Sequence, residues 1–386
     1  MKTALRRVLT LAVLGVTPLA VVITMFVVAL QTESLAVDFQ NELYPEAKAI
    51  LSGNDPFPHP NVDLSAGKNL IWPPLAALLI APLTVLPSSA ANIVIAALGL
   101  LCFALSLWLV GVRDWRVYGA FTLWPLVVGE MRVSHLTPAL CLLVAVAWRY
   151  RSAPLAVRRT WPTPAADAGT GLVAGVAIGV ASAIKFFLWP LGLWLLATGR
   201  RAAATTAAVV AGASLLLVLP FTGLDDYART LFDLGRTFDQ DSYSVFGLLV
   251  QAGASETFAR SATLGIGVAL LAAMWRSQSL ALAVAAALVL SPIVWLDYYA
   301  VTAVPLAVVR PTLSPIWLVP LATWGLLGAG IGSGDAWGSG RVLVAFGLVV
   351  LVTVRAERAA RRISIPHAHK VRGFAGRRVG PRSSSN

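Results

Sequence analysis

Asp38, Glu42 and Glu46 stand at i, i+4 and i+8 in "VDFQNELYPEAKAILSGNDPF" (37–57), so a helix there carries three carboxylates on one face. Further on, Glu130, Arg132 and His135 share "GEMRVSH" (129–135), Lys185 interrupts "ASAIKFFLWP" and Asp297 follows Trp295 in "SPIVWLDYY" (291–299). A carboxylate within hydrogen-bond reach of a hydroxyl can take its proton. A fixed lysine or arginine charge can hold a departing phosphate. Together these residues suit acid–base chemistry on a sugar combined with a grip on a phosphate.

Several of these residues also have a plainer account. Asp38 fits a helix N-cap as well as it fits a base, because a helix-like stretch follows it and ends at Gly53. Spacing alone leaves both readings open. Glu42 and Glu46 read as a solvated face, and His59 in "PFPHP" reads as a surface residue of a proline-rich loop. Asp297, beside Trp295, fits an ordinary helix end with an interfacial aromatic. The Asp-rich stretch 225–241 is only a loose metal pattern, and no metal or other cofactor is expected. Lys185 is different: about fourteen apolar residues flank it on either side, or roughly 20 Å of helix, more than a lysine stem can cover. Ionisable residues inside a membrane mark functional sites by default.

The elements that must position these residues are apolar almost throughout. The chain has 386 residues, 58% hydrophobic and 12% charged, with a mean hydropathy of +0.77. Soluble proteins carry about 25% charged residues. The fold expected is therefore all-α and polytopic: about 12 transmembrane helices over residues 1–354, with extracytoplasmic loops forming the site. Cys102 and Cys141 both lie in apolar runs, which argues against a disulfide framework or thiolate metal site. The apolar run Val8–Leu30 is too long for a signal-peptide core and reads as a retained helix with a cytoplasmic N-terminus.

Charge orients the rest. Arginine-rich connections at 148–159, 199–201, 275–278 and 309–311 read as cytoplasmic. The tail 355–386, with nine Lys or Arg against Glu357 alone, reads as a disordered cytoplasmic segment near anionic lipid, not a nucleic-acid binder. The outer loops are 31–70, with six acids against two lysines, and 221–244, with five aspartates against two arginines. Only 71–116 resists this count. Placing "RDWR" (113–116) inside requires one of the runs 71–87 and 89–112 to be re-entrant, and puts "GEMRVSH" at an outer helix tip.

Taken in order, these segments resemble glycosyltransferase family 87, the polyprenyl-phosphate-mannose-dependent mannosyltransferases of the C-type superfamily. The loop Asp38–Phe57 resembles the family's D-x-x-x-Y-x-x-A…G-x-x-P-Y, with Tyr44 offset by two residues. "LIWPPLAALLIAPLTVLP" (70–87) is similar to its Y-P-P-L run, with Trp72 replacing Tyr. Residues 171–201 resemble its G-L…K-x-x-P…R-R segment, with Lys185 at the lysine. "DSYSVFGLL" (241–249) and "SPIVWLDYY" resemble two further family segments. The coverage runs from about residue 35 to 310. Where the family has G-Q-x-N this chain has Gly129-Glu130-Met131-Arg132, and W-x-H-H has become Trp295-Leu296-Asp297-Tyr298.

The resemblance implies an inverting transfer of a sugar, mannose foremost, from a polyprenyl-phosphate donor to a cell-envelope glycolipid or glycan, outside the cytoplasmic membrane. It implies Asp38 as general base, Lys185 with Arg132 on the donor phosphate, and Tyr44, Glu130, His135, Trp295, Asp297 and Tyr298 around the substrates. No nucleotide sugar is required, and no glycine-rich phosphate loop is present. The rival readings are a transporter or flippase of a lipid-linked or polar solute, which also uses buried charges and broken helices, and an inactive scaffold of the same fold.

Overall fold

Proline, glycine and short polar clusters cut the apolar sequence into many helices. The computed structural model describes residues 2–57, 72–151, 164–221, 223–238, 242–326 and 335–374, and among them there is helix but no strand. His59, most of the basic connection after Arg151, Asp239, Asp241 and the last residues from 375 lie outside the described residues.

Helix α1 (Lys2–Leu11) runs through a π turn into α2 (Thr17–Gln31), and a second π turn (Phe39–Leu43) leads into α3 (Tyr44–Leu51). Next come α4 (Pro74–Ile80), prolonged by a 3₁₀ turn to Val85, and α5 (Ser88–Leu109). The stretch from Pro74 to Val85 amounts to about 18 Å at the α-helical rise, against roughly 30 Å of hydrocarbon, so it cannot cross alone. Of the two runs in that region, it is this one that falls short.

Helices α6 (Trp115–Thr122), α7 (Pro125–Val133) and α8 (Thr137–Tyr150) follow, each break placed by a proline just inside the next helix start. Helix α9 (Pro164–Ile184) ends at Lys185, which is extended, and a 3₁₀ turn leads into α10 (Pro190–Ala197). Helix α11 (Arg201–Leu215) lies against α9 so closely that a side chain at Gly175 would come within 2.5 Å of the Ala203 carbonyl. Small residues allow this approach, which fixes the helix that ends in Lys185. The remainder is α12 (Leu224–Phe238), α13 (Val245–Gln251), α14 (Glu256–Ser277), α15 (Leu280–Leu290), a 3₁₀ stretch Leu296–Thr302 with α16 (Ala303–Val309), a second 3₁₀ stretch Pro315–Leu326, and α17 (Ala336–Phe374).

Five described helical stretches are long and apolar enough to cross a membrane: Arg7–Gln31, Ser88–Leu109, Arg201–Val218, Glu256–Ser277 and Ala336–Arg361. With the shorter apolar helices packed among them, this is a multi-pass membrane protein. The start of the tail at residue 355 is not a structural boundary. Helix α17 continues unbroken to Phe374, as the helix-favouring run "RAERAARR" permits.

Hydrogen bonds between distant connections sort the bundle into two ends. At one end Tyr44 donates to the Leu86 carbonyl (2.7 Å), Tyr243 N to Val294 O (2.9 Å) and the Tyr299 hydroxyl to Tyr243 O (2.7 Å). At the other, Arg200 binds the Arg151 carbonyl, Trp194 Nε1 donates to Gln278 O (3.1 Å) and Arg361 reaches Gln278 O (2.9 Å). Leu313 N donates to Asp114 (3.0 Å), which ties "RDWR" to the chain just after the basic connection 309–311.

Candidate active site

Four separate segments converge at the first of these ends. The turn before Asp38 contains Ala36 in the left-handed region (φ 54°), and Ala36 N donates to Met131 O at 3.2 Å, which ties the turn to α7. Between α7 and α8, Ser134 (φ 56°) and Leu136 (φ 62°) are both left-handed, an unfavourable backbone for leucine costing about 1–3 kcal/mol. The reversal points His135 into the protein, where it is buried. Lys185 and Asp297 come from the break after α9 and from the 3₁₀ stretch after Trp295.

Side chains from these segments form one chain of contacts. Asp38 pairs with His135 Nε2, and His135 Nδ1 lies 3.4 Å from Asp297 Oδ1. The Thr137 hydroxyl donates to the other Asp297 oxygen at 2.5 Å. Exposure distinguishes the two acids: Asp38 keeps 19% of its side chain accessible and Asp297 keeps 7%. Of the two, Asp38 is the more accessible. It makes no side-chain capping bond, so the N-cap reading does not hold.

Lys185 is buried, and its ammonium has no hydrogen-bond partner among the described residues. It sits instead 3.8 Å from the centroid of the Tyr298 ring and 4.6 Å from that of Trp72. Tyr298 is in turn stacked on Phe187 at 5.0 Å. Cation–π contacts of this kind hold the charge without neutralising it. The ammonium borders an open cleft of about 890 Å³ of empty volume, walled also by His135, Phe187, Leu231, Pro292 and Trp295.

Glu42 and Glu46 are not a solvated face. Both are buried: Trp72 Nε1 donates to Glu42 at 3.0 Å and the Trp72 backbone N–H to Glu46 at 3.3 Å. Burial pushes the Glu42 carboxyl up to about 7 and that of Glu46 well above the usual carboxylate range. The solvated reading fails because the neighbouring segment, carrying Trp72, closes over this face of the loop. Trp72 thus links the loop acids, Lys185 and His135, whose ring lies 6.0 Å away.

The remaining sequence candidates fall in different places. Glu130 is buried beside the cluster, with neither oxygen hydrogen-bonded among the described residues. Trp295 lines the cleft edge-on to Phe238. Tyr44 is committed to the Leu86 carbonyl, which ties α3 to the start of α5. Arg132 is half-buried and makes no hydrogen bond or ion pair with the cluster. Trp72 and Thr137 are the partners that sequence reasoning missed. Trp72 had a signal, as the one aromatic at the head of "WPP" directly after a carboxylate-rich loop, whereas Thr137 had none. Among the described residues, no three His, Cys, Asp or Glu side chains are grouped to hold a metal ion.

The arrangement has a partly accessible carboxylate, a histidine that anchors it, and a buried ammonium at the wall of a cleft that this histidine also lines. It can accept a proton from one group while holding an anion that leaves another. No curated protein and no solved structure matches the chain significantly. The sequence pattern of glycosyltransferase family 87 matches residues 70–309, a span that contains His135, Lys185, Asp297 and most of the helices around them. With well over half its length matched, this membrane-embedded chain belongs to glycosyltransferase family 87.

Proposed function

We propose that the protein transfers a sugar, mannose foremost, from a polyprenyl-phosphate donor to a hydroxyl of an envelope glycolipid or glycan, with inversion. The observation that carries this reading is the Lys185 ammonium, buried and without a hydrogen-bond partner at the wall of a cleft, one aromatic ring away from the Asp38–His135 pair. Leaving a buried cation unpaired is costly unless a ligand supplies the anion. A lipid phosphate supplies it.

In the reaction, the acceptor hydroxyl attacks the anomeric carbon from the face opposite the phosphate. The bond from that carbon to the phosphate oxygen breaks, and its electron pair stays with the polyprenyl phosphate. Lys185 stabilises the charge released there, and Asp38 takes the hydroxyl proton. His135 holds Asp38 in place and is itself held by Asp297, which the Thr137 hydroxyl fixes in turn, so the base needs no reorganisation when substrate arrives. Trp72, Tyr298 and Trp295 offer apolar and π surface to sugar and lipid. Arg132 is the weakest member of the donor site in this reading, since no hydrogen bond or ion pair joins it to the others among the described residues.

We place this site on the extracytoplasmic side, because the connections at the opposite end are the arginine-rich ones. The fold then crosses the membrane about 12 times, with Pro74–Val85 re-entrant and both termini inside. Residues 1–354 form the membrane domain, and the basic segment 355–386 is cytoplasmic.

The test is transfer of labelled mannose from polyprenyl-phosphate mannose to membrane acceptors by the purified full chain. Asp38→Asn should lower kcat by about 10²–10⁴-fold with unchanged folding. Turnover unaffected by that change removes the base assignment. Solute uptake into proteoliposomes without sugar transfer supports a carrier instead.

A further inference from the structure

Helix α12 borders the Lys185 cleft without joining the main apolar core. Leu231, Leu234 and Gly235 on its inner face line the cleft, and Phe238 at its end meets Trp295 edge-on at 6.0 Å. Its start is held by a small apolar cluster of its own. There Tyr227 packs on Phe57 at 5.1 Å, beside Val218 and Phe221. The outward face is charged and wet: Asp225, Asp226 and Arg229 are exposed, and so is Phe232. An element fixed by so few apolar contacts belongs to the part of a fold that opens first.

The polar groups at the start of α12 are incomplete. The Tyr227 hydroxyl is buried and has no hydrogen-bond partner among the described residues. Glu46, on α3, accepts the Trp72 backbone N–H on one oxygen, while its other oxygen is buried and unpartnered too. Burial raises the Tyr227 phenol, and the carboxylate of Glu46 lies near enough to raise it further. Two buried groups thus stand as neighbours, each lacking a bond that the other is equipped to make.

We infer that α12 is the cover of the cleft, latched shut by a hydrogen bond from the Tyr227 hydroxyl to Glu46 when a phosphate-bearing lipid is bound. The inference rests on the assignment of the donor phosphate to Lys185 proposed above. A prenyl chain in the cleft gives Leu231 and Leu234 apolar surface to close on, which supplies the preference for the shut state. Glu46 suits the task because its first oxygen holds Trp72, whose ring lines the cleft and lies 4.6 Å from the Lys185 ammonium. One carboxyl group therefore joins the cover to the ring that flanks the cation. Tyr227 and Glu46 are positioning residues, since neither lines the cleft itself.

The experiment uses the full chain in lipid nanodiscs with a polyprenyl phosphate as probe, and reads equilibrium binding and amide hydrogen exchange over residues 224–238. In the wild-type protein the probe should slow exchange there about tenfold. Tyr227→Phe keeps the ring in its cluster and removes only the hydroxyl. It should leave the thermal midpoint of the ligand-free protein unchanged or raised, because an unpaired buried group is lost. The same change should weaken probe binding roughly 3- to 10-fold and remove most of the added protection. Glu46→Leu should weaken binding at least as much, and the double change should be no worse than Glu46→Leu alone. Glu46→Gln, which keeps a group for Trp72 and one for Tyr227, should stay within about twofold of wild type. The inference is overturned if Tyr227→Phe lowers the ligand-free midpoint while binding and exchange stay as in the wild type, since the hydroxyl then serves a static contact. It is equally overturned if the effects of Tyr227→Phe and Glu46→Leu on binding add in full. Failure of the donor reading looks different: the wild-type protein then does not bind the probe, or binds it equally after Lys185→Met, and the latch falls with it.

Discussion

The two ends of the bundle both carry charge, but they hold it in opposite ways. At the Asp38 end the ionisable groups are mostly buried, Asp38 only in part, and come from four segments, and most are held by near neighbours: Asp38 by His135, His135 by Asp297, Glu42 by Trp72. At the arginine-rich end the cations lie at the surface and bind backbone carbonyls, as Arg361 does at Gln278 and Arg113 at Val112 (2.8 Å). A close side-chain ion pair there, Arg116 with Asp114 at 2.8 Å, joins neighbours on one turn. Surface pairs contribute about 0–1 kcal/mol, while removing one partner from a buried pair costs about 3–5 kcal/mol. Charge count alone therefore reports orientation, and burial of charge reports chemistry.

The contrast can be broken most directly at its two aspartates. Asp297→Ala should destabilise the protein by about 3–5 kcal/mol in chemical unfolding of the micelle-bound protein. Arg116→Ala, which removes the exposed partner of Asp114, should leave the unfolding midpoint nearly unmoved. Equal losses from the two changes would erase the distinction between the ends.

A pH series sharpens it next. The Glu42 carboxyl is raised in the folded state from 4.5 to about 7 by burial, so between those values the folded protein holds a proton that the unfolded chain has released. The associated stability is complete below pH 4.5 and is lost as pH rises through 7, by on the order of 3 kcal/mol. Glu42→Gln should flatten this slope; an unaltered slope would mean that another group produces it.

Smaller effects complete the series. Tyr298→Leu removes the ring nearest Lys185 and should cost about 1–2 kcal/mol in donor binding, read as a rise of about 5–30-fold in donor KM. Arg361→Ala at the opposite end should move neither KM nor kcat, and should shift unfolding by less than about 1 kcal/mol.

The membrane character of the chain, the break at Lys185, the grouping of the basic connections and the family were all legible in the sequence. Lys185 was legible because nothing in an apolar run compensates a lysine there. Glu42 and Glu46 were misread because helical periodicity says which residues share a face and not what covers it. That cover, Trp72, is 26–30 residues away along the chain. Thr137 and the direct Asp38–His135 contact were beyond reach for the same reason. The left-handed residues around His135 were hidden too, since "SHL" carries no glycine to announce them. The long α17 was hidden by composition: basic residues that read as a solvated coil also favour helix once the preceding turns are built.

Helix α9 ends at Lys185 against the close-packed α11, and this sets more than the position of one cation. On the membrane orientation proposed above, the helix acts as a measuring rod, since its length sets how far from the arginine-rich end the ammonium sits. A water-borne phosphate would have to sink to that level unaided, whereas a phosphate tethered to a long hydrocarbon is delivered there by its own anchor. If the donor is the lipid phosphate proposed above, selection for that carrier is a matter of depth, decided by where one helix stops.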